Sequence, residues 1–232
     1  MKVINIGMPR SGTKALAILF KRLGIESHHQ MNPCFMTDEK QFLEYDLNNP
    51  SPNILALPRS YKEINKELLF NENHYFDSDW AKSPFIYLME KEMPFLRFTI
   101  IVRNIVDCCN SLMNYRLKTN KNNTNDINYY ADKWIKIYEF IYKQMKQMTV
   151  TPYVIDFHKY INGELLNILM SIFDIELNNK NIDIAKKVFS IKVNNRGEYE
   201  SHKIDDQLIK KSIILTSNLF RMNKKSWRKD YE

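Results

Sequence analysis

Gly7-Met-Pro-Arg-Ser-Gly-Thr-Lys14 is the stretch on which the reading of this 232-residue chain turns. Upstream, Val3, Ile4 and Ile6 form a short β-branched run that stops at Gly7. Downstream, Leu16, Leu19, Phe20 and Leu23 recur at helical spacing until Gly24 supplies a C-cap. The order is strand, tight loop, helix. Glycines relax the backbone of such a loop, so successive N–H groups at the helix start can converge on an anion, and the helix dipole adds to the attraction. The stretch is therefore expected to hold phosphate or sulfate. It departs from G-x-x-x-x-G-K-[ST], the nucleoside triphosphate loop, in which Lys follows the second Gly directly and a hydroxyl then binds magnesium. Here Gly12 is followed by Thr13 and then Lys14, and Arg10 stands earlier in the loop.

Bulk composition narrows the class. With 44% apolar and 26% charged residues, the chain fits one globular domain over 1–232 and neither a disordered nor a membrane protein. It has no long apolar run, and its amino terminus enters a strand almost at once, so a cytoplasmic protein without signal peptide or transmembrane segment is expected. Cys34, Cys108 and Cys109 offer neither a disulfide framework nor a zinc knuckle. The net charge of +7 favours anions near the surface without choosing among them, and much of it lies in a basic tail around Lys224, Lys225, Arg228 and Lys229.

A second informative stretch is Phe98-Thr-Ile-Ile-Val-Arg-Asn-Ile-Val-Asp-Cys-Cys-Asn-Ser-Leu112. Phe98 to Val102 form a nearly continuous β-forming run, as in a strand buried on both faces of a parallel sheet, and Arg103 stands at its carboxyl end. From Ile105 the pattern becomes helical, with Ile105, Cys108, Cys109 and Leu112 inward and Ser111 on the same helix. Arginine offers a fixed fork of donors with permanent charge, and serine adds a hydroxyl, a pairing suited to a phosphate. Further strands are expected after Gly24, over His74–Trp80 and over Thr151–Asp156. Helices are expected from Pro84 through Met93, from about Ile127 to Met148 with Tyr130, Trp134, Ile137, Tyr138 and Ile141 inward, from about Ile161 to Phe173, and from about Asp205 to Met222. Between Pro33 and His74, prolines 33, 50, 52 and 58 interrupt short helical pieces, and an acceptor-binding insertion or lid is expected there.

Taken together, Pro9-Arg10-Ser11-Gly12-Thr13 and the pair Arg103/Ser111 resemble the sulfotransferases that use 3′-phosphoadenosine 5′-phosphosulfate (PAPS). The first is similar to the loop that holds the 5′-phosphosulfate. The second is similar to the 3′-phosphate element, usually written V-R-[DN]-P-x-D-x-x-x-S, with Ile105 where Pro is common. Lys82-Ser-Pro84 resembles a Lys-Thr-Pro of the same family, and Arg196-Gly197 resembles its Arg-Lys-Gly loop with the lysine missing. The resemblance spans roughly residues 3 to 200. It implies a three-layer α/β/α sandwich with a central parallel sheet, kin to P-loop nucleotide kinases; strand–helix alternation points to the same architecture.

The resemblance also implies a function: transfer of a sulfuryl group from PAPS to a hydroxyl or amine acceptor, leaving 3′-phosphoadenosine 5′-phosphate (PAP), with no metal and no nucleic acid partner. Donor binding would fall to Pro9, Arg10, Ser11, Gly12, Thr13, Lys14, Arg103, Ser111, Arg196 and Gly197, with Arg10 also stabilising charge that develops on the 5′-phosphate. The base is open among Glu26, His28, His29, Asp77 and Asp79, with His29 and Asp77 preferred for catalysis. The alternatives are a P-loop nucleotide or nucleoside kinase, which needs magnesium and a triphosphate, and a non-enzymatic anion-binding module.

Overall fold

Strand β1 (Lys2–Ile6) lies at the centre of a five-stranded sheet with the order β2 (Glu26–His29), β3 (Tyr75–Ser78), β1, β4 (Leu96–Val102), β5 (Tyr153–Asp156), every neighbouring pair parallel. The computed structural model describes residues 1–30, 52–119, 124–190 and 201–227. In chain order its helices are α1 (Thr13–Arg22), α2 (Pro52–Ile64), α3 (Lys66–Asn71), α4 (Ile86–Glu92), α5 (Ile105–Thr119), α6 (Ile127–Met145), α7 (Phe157–Ile161), α8 (Leu166–Ser171), α9 (Asn179–Ser190) and α10 (Asp206–Arg221).

Strand side chains alternate between faces, and this sorts the helices into two layers. Val3, Phe76, Ile101 and Ile155 pack with Leu16, Leu19 and Phe20 of α1 and with Ala185 and Val188 of α9. On the opposite face Ile4, Ile6, Ile100 and Val154 meet Met89 of α4, Cys108 and Leu112 of α5, Trp134 and Ile141 of α6 and Leu219 of α10. The result is the three-layer α/β/α sandwich with a parallel sheet that the sequence leads one to expect. Each fully buried Leu, Ile or Phe on these faces contributes about 1.5–3 kcal/mol.

Several boundaries differ from the expected ones for local reasons. The helix expected over 161–173 is two short helices, α7 and α8, because Asp156 accepts from the N–H groups of His158 and Lys159 and starts a helix directly at the strand end. Pro84 lies inside a 3₁₀ turn, Trp80–Phe85, that precedes α4. Pro58 lies within α2 instead of interrupting it. Residues 33–51 of the proposed 33–74 insertion, the Arg196-Gly197 pair and the charges of Arg228 and Lys229 lie outside the described residues.

A polar thread crosses the middle of the sheet. Asn5 of β1 donates to Ser78 Oγ on β3 (2.7 Å) and accepts from Thr99 Oγ1 on β4 (2.9 Å), and all three residues are buried. The outer edge of β5 is closed by Asn223, whose amide donates to the Val154 carbonyl (3.0 Å) and accepts its N–H (2.7 Å) as a strand residue would. From β1 the chain runs through α1 toward β2, whereas from β4 it runs through α5 and α6 toward β5. The carboxyl ends of β1 and β4 therefore flank the switch point, where parallel sheets open a ligand crevice.

Replacing Asn5 with Leu keeps the heavy-atom branching, removes the amide and strands two buried hydroxyls, so urea unfolding should show a loss of about 2–4 kcal/mol; a change within about 0.5 kcal/mol would mean the thread contributes nothing to stability.

Candidate functional site

Gly7 is where β1 gives way to the loop, and it lies against β4. A Cβ there would fall 2.6 Å from Ile101 Cγ2 and 2.8 Å from the Ile101 carbonyl oxygen, so only glycine lets the two strand ends approach. The Ser11 N–H then closes a turn on the Met8 carbonyl (3.0 Å). Arg10 (φ 74) and Gly12 (φ 100) are both left-handed, the backbone alternation from which concave anion nests are made. At Gly12 a Cβ would also meet the Phe157 ring at 2.6 Å.

Two side chains from the α5–α6 layer hold the loop in place. The buried Tyr138 hydroxyl accepts from the Met8 N–H (3.2 Å) and donates to the Ile101 carbonyl (2.8 Å), bridging the ends of β1 and β4. Cys108 Sγ donates to the Pro9 carbonyl (3.5 Å), and burial pushes its thiol up to about 12, so it stays protonated. Helix α1 begins at Thr13 with Gly12 as its N-cap, no side-chain cap and no acidic residue in the first turn. Its first-turn N–H groups have no intrahelical acceptors, and the positive end of the dipole is uncompensated.

The second motif meets the first. Arg103 Nη1 donates to the Arg10 carbonyl (3.1 Å), its guanidinium lies 4.8 Å from the Phe157 ring centroid, and its Nε is buried without a hydrogen-bond partner among the described residues. Arg10 Nε donates to Ser111 Oγ (3.1 Å), and the Arg10 guanidinium lies 5.2 Å from the Tyr115 ring centroid. Arg10 therefore touches both members of the Arg103/Ser111 pair. Ser11 is fully enclosed, its amide spent on the turn, so it shapes the loop, while Lys14 is exposed.

The five base candidates separate cleanly. Successive residues of β2 face opposite ways. His28 pairs with Glu26 (2.5 Å) and lies against Tyr75, with ring centroids 5.9 Å apart. His29 turns to α1, where its Nε2 lies 3.3 Å from Thr13 Oγ1. Asp77 and Asp79 are fully buried and share the Lys82 ammonium, each at 2.8 Å; Asp77 also accepts from Tyr61 and Asp79 from the Ala81 N–H. Burial holds His29 below its ordinary value of 6.5; Asp79 opposes this, and Lys14 and Lys82 add to it. The imidazole is thus neutral at pH 7, as a proton acceptor must be.

Three residues at this site carry no motif. Tyr138 is one of many inward aromatics on an amphipathic helix, and nothing in its spacing separates a loop anchor from core. Phe157 and His158 follow the carboxyl end of β5, so their position on the crevice rim was a usable signal. His158 sits with Asn104 (2.7 Å) and Asp107 (3.3 Å) beside Arg103.

No family model matches the chain, and no curated protein matches it in sequence. Solved structures do. The sulfotransferase domain from the curacin biosynthetic pathway aligns over 99% of this chain and 97% of its own, with 12% identity and a TM-score of 0.54. The sulfotransferase domain of the Synechococcus PCC 7002 olefin synthase covers 93% of this chain and 94% of its own, at 11% identity and TM-score 0.51. A sulfotransferase from Alicyclobacillus acidocaldarius covers 95% and 93%, at 12% identity and TM-score 0.52. Identity this low establishes a common fold: the chain has the P-loop-like α/β fold of these sulfotransferases.

Gly7→Ala should cost about 1–3 kcal/mol in denaturant unfolding, because the methyl group meets backbone as well as side chain; an unchanged midpoint would contradict the close approach of β1 to β4. The His29 imidazole, followed by NMR, should titrate below its ordinary 6.5, and a midpoint at or above that value would contradict the burial described here.

Proposed function

We propose that the chain is a sulfotransferase that takes a sulfuryl group from PAPS and passes it to a hydroxyl or amine acceptor. The observation that carries this reading is the hydrogen bond from Arg103 to the Arg10 carbonyl, which puts the anion loop and a strand-end guanidinium in one place. A donor with phosphate at both ends needs two such grips at close quarters. The Nε of Arg103, without a partner among the described residues, and the uncapped start of α1 supply donors suited to them.

In this reading the first-turn amides of α1, with Thr13 and Lys14, hold the 5′-phosphosulfate, and Arg103 with Ser111 holds the 3′-phosphate. Pro9 and Gly12 shape the loop, and Arg196-Gly197, outside the described residues, is assigned to donor binding by the resemblance alone. The donor supplies a sulfuryl group whose S–O bond to the 5′-phosphate breaks as a bond from sulfur to the acceptor oxygen or nitrogen forms. Arg10 and the α1 terminus stabilise the charge left on the 5′-phosphate. His29 takes the acceptor proton. Of the two preferred bases, His29 fits better than Asp77, because Asp77 is enclosed with Lys82 and Tyr61 whereas His29 is partly exposed and hydrogen-bonded to the loop.

Titration calorimetry with PAP tests the reading. The wild-type chain should bind it, and Arg103→Ala should weaken binding about 100-fold, the worth of charge-assisted hydrogen bonds to a phosphate. Its thermal midpoint should fall by only about 2–4 °C, the loss of one hydrogen bond to the loop, so that the protein stays folded. Equal affinity in the variant, or thermal stabilisation by ATP with magnesium but not by PAP, would overturn the assignment.

A further inference from the structure

The contact between Thr13 and His29 has a chemical consequence. Thr13 is the first residue of α1, beside the uncapped amides, and is almost fully buried; its hydroxyl lies 3.3 Å from His29 Nε2. A hydroxyl carries a single hydrogen. It can go to the imidazole or to an anion in the loop, but not to both.

We propose that Thr13 couples occupancy of the anion loop to the proton-accepting nitrogen of His29. The inference rests on the sulfotransferase reading above. With the loop empty, Nδ1 carries the imidazole hydrogen and Thr13 donates to Nε2, so the basic lone pair is engaged. With donor in place, the hydroxyl turns to a phosphate or sulfonate oxygen, because a charged acceptor makes the stronger hydrogen bond. The Nε2 lone pair is then free to receive the acceptor proton, and no proton moves before the acceptor arrives. Thr13 is a positioning residue in this scheme: it acts on the acceptor only through His29.

A hydrogen bond donated to Nε2 favours the neutral imidazole, and so acts in the same direction as the burial that already lowers the His29 titration. The charged groups that act on His29 are Asp79 at the end of β3, Lys14 on α1 and Lys82 in the 3₁₀ turn. None of them changes when residue 13 is substituted, so a comparison of variants isolates the hydroxyl.

The test uses the full chain labelled with ¹⁵N-histidine, as wild type, Thr13→Val and Thr13→Ser, titrated with pH in the absence and presence of saturating PAP. The His29 signal is assigned by its loss in His29→Gln. Without PAP, Thr13→Val should raise the His29 midpoint by about half a pH unit to one unit, the worth of one neutral hydrogen bond, while Thr13→Ser should match wild type. With PAP bound, wild type and Thr13→Val should coincide. Coincidence already without PAP, or a gap that persists once PAP is bound, would overturn the coupling while leaving PAP binding intact. Failure of the wild-type chain to bind PAP would instead remove the underlying reading, and the coupling with it. A purely structural role for Thr13 would weaken PAP binding without moving the imidazole titration.

Discussion

The hydrogen bond from the Arg103 guanidinium to the Arg10 carbonyl is the constraint on which the rest of the site depends. It ties the end of a middle strand to the left-handed turn of a loop 93 residues earlier in the chain. It forms only because β1 and β4 are neighbours in register and because Gly7 lets their ends close to van der Waals contact. Tyr138 reinforces the same junction from the opposite layer by bonding to both strand ends with one hydroxyl. A left-handed arginine is an uncommon backbone state. Here it is held by its carbonyl, by its Nε on Ser111 and by the ring of Tyr115.

Charge around the crevice is divided in an instructive way. Arg103 keeps an Nε donor without a partner among the described residues on the loop side, whereas Lys82, the lysine of the Lys-Ser-Pro segment, is enclosed and neutralised by Asp77 and Asp79. Removing one member of such a buried group would leave a charge without compensation, so Lys82 in the 3₁₀ turn is committed to the two carboxylates. Among the described residues, positive charge for an anion at the loop thus comes from Arg103, from the exposed Lys14 and from the open end of α1.

Much of this was legible in the sequence. The β-branched run before Gly7 and the helical spacing after Thr13 gave the strand, loop and helix, and the apolar run ending at Arg103 gave the second strand of the crevice. Periodicity sufficed there because both faces of a parallel sheet are covered, so the strands are marked by continuous apolar runs. Less was legible where one residue decides the geometry. Glu26 to Asp79 contains five titratable candidates near strand ends, and only the facing of β2 and the burial of Asp77 and Asp79 sort them. Tyr138 looked like core and is core, yet its hydroxyl anchors the loop. Asn5, Ser78 and Thr99 are three isolated polar residues in apolar strands, and their hydrogen bonds exist only once strand order is known.

The central claim is that one ligand spans the start of α1 and the end of β4. A crystal structure of the chain with PAP tests it most directly. The account predicts the 5′-phosphate against the amides of residues 12–15 and the 3′-phosphate on Arg103 and Ser111, with Arg103 Nε no longer without a partner. A nucleotide seated elsewhere, or one whose 3′-phosphate lies away from Arg103, would contradict it.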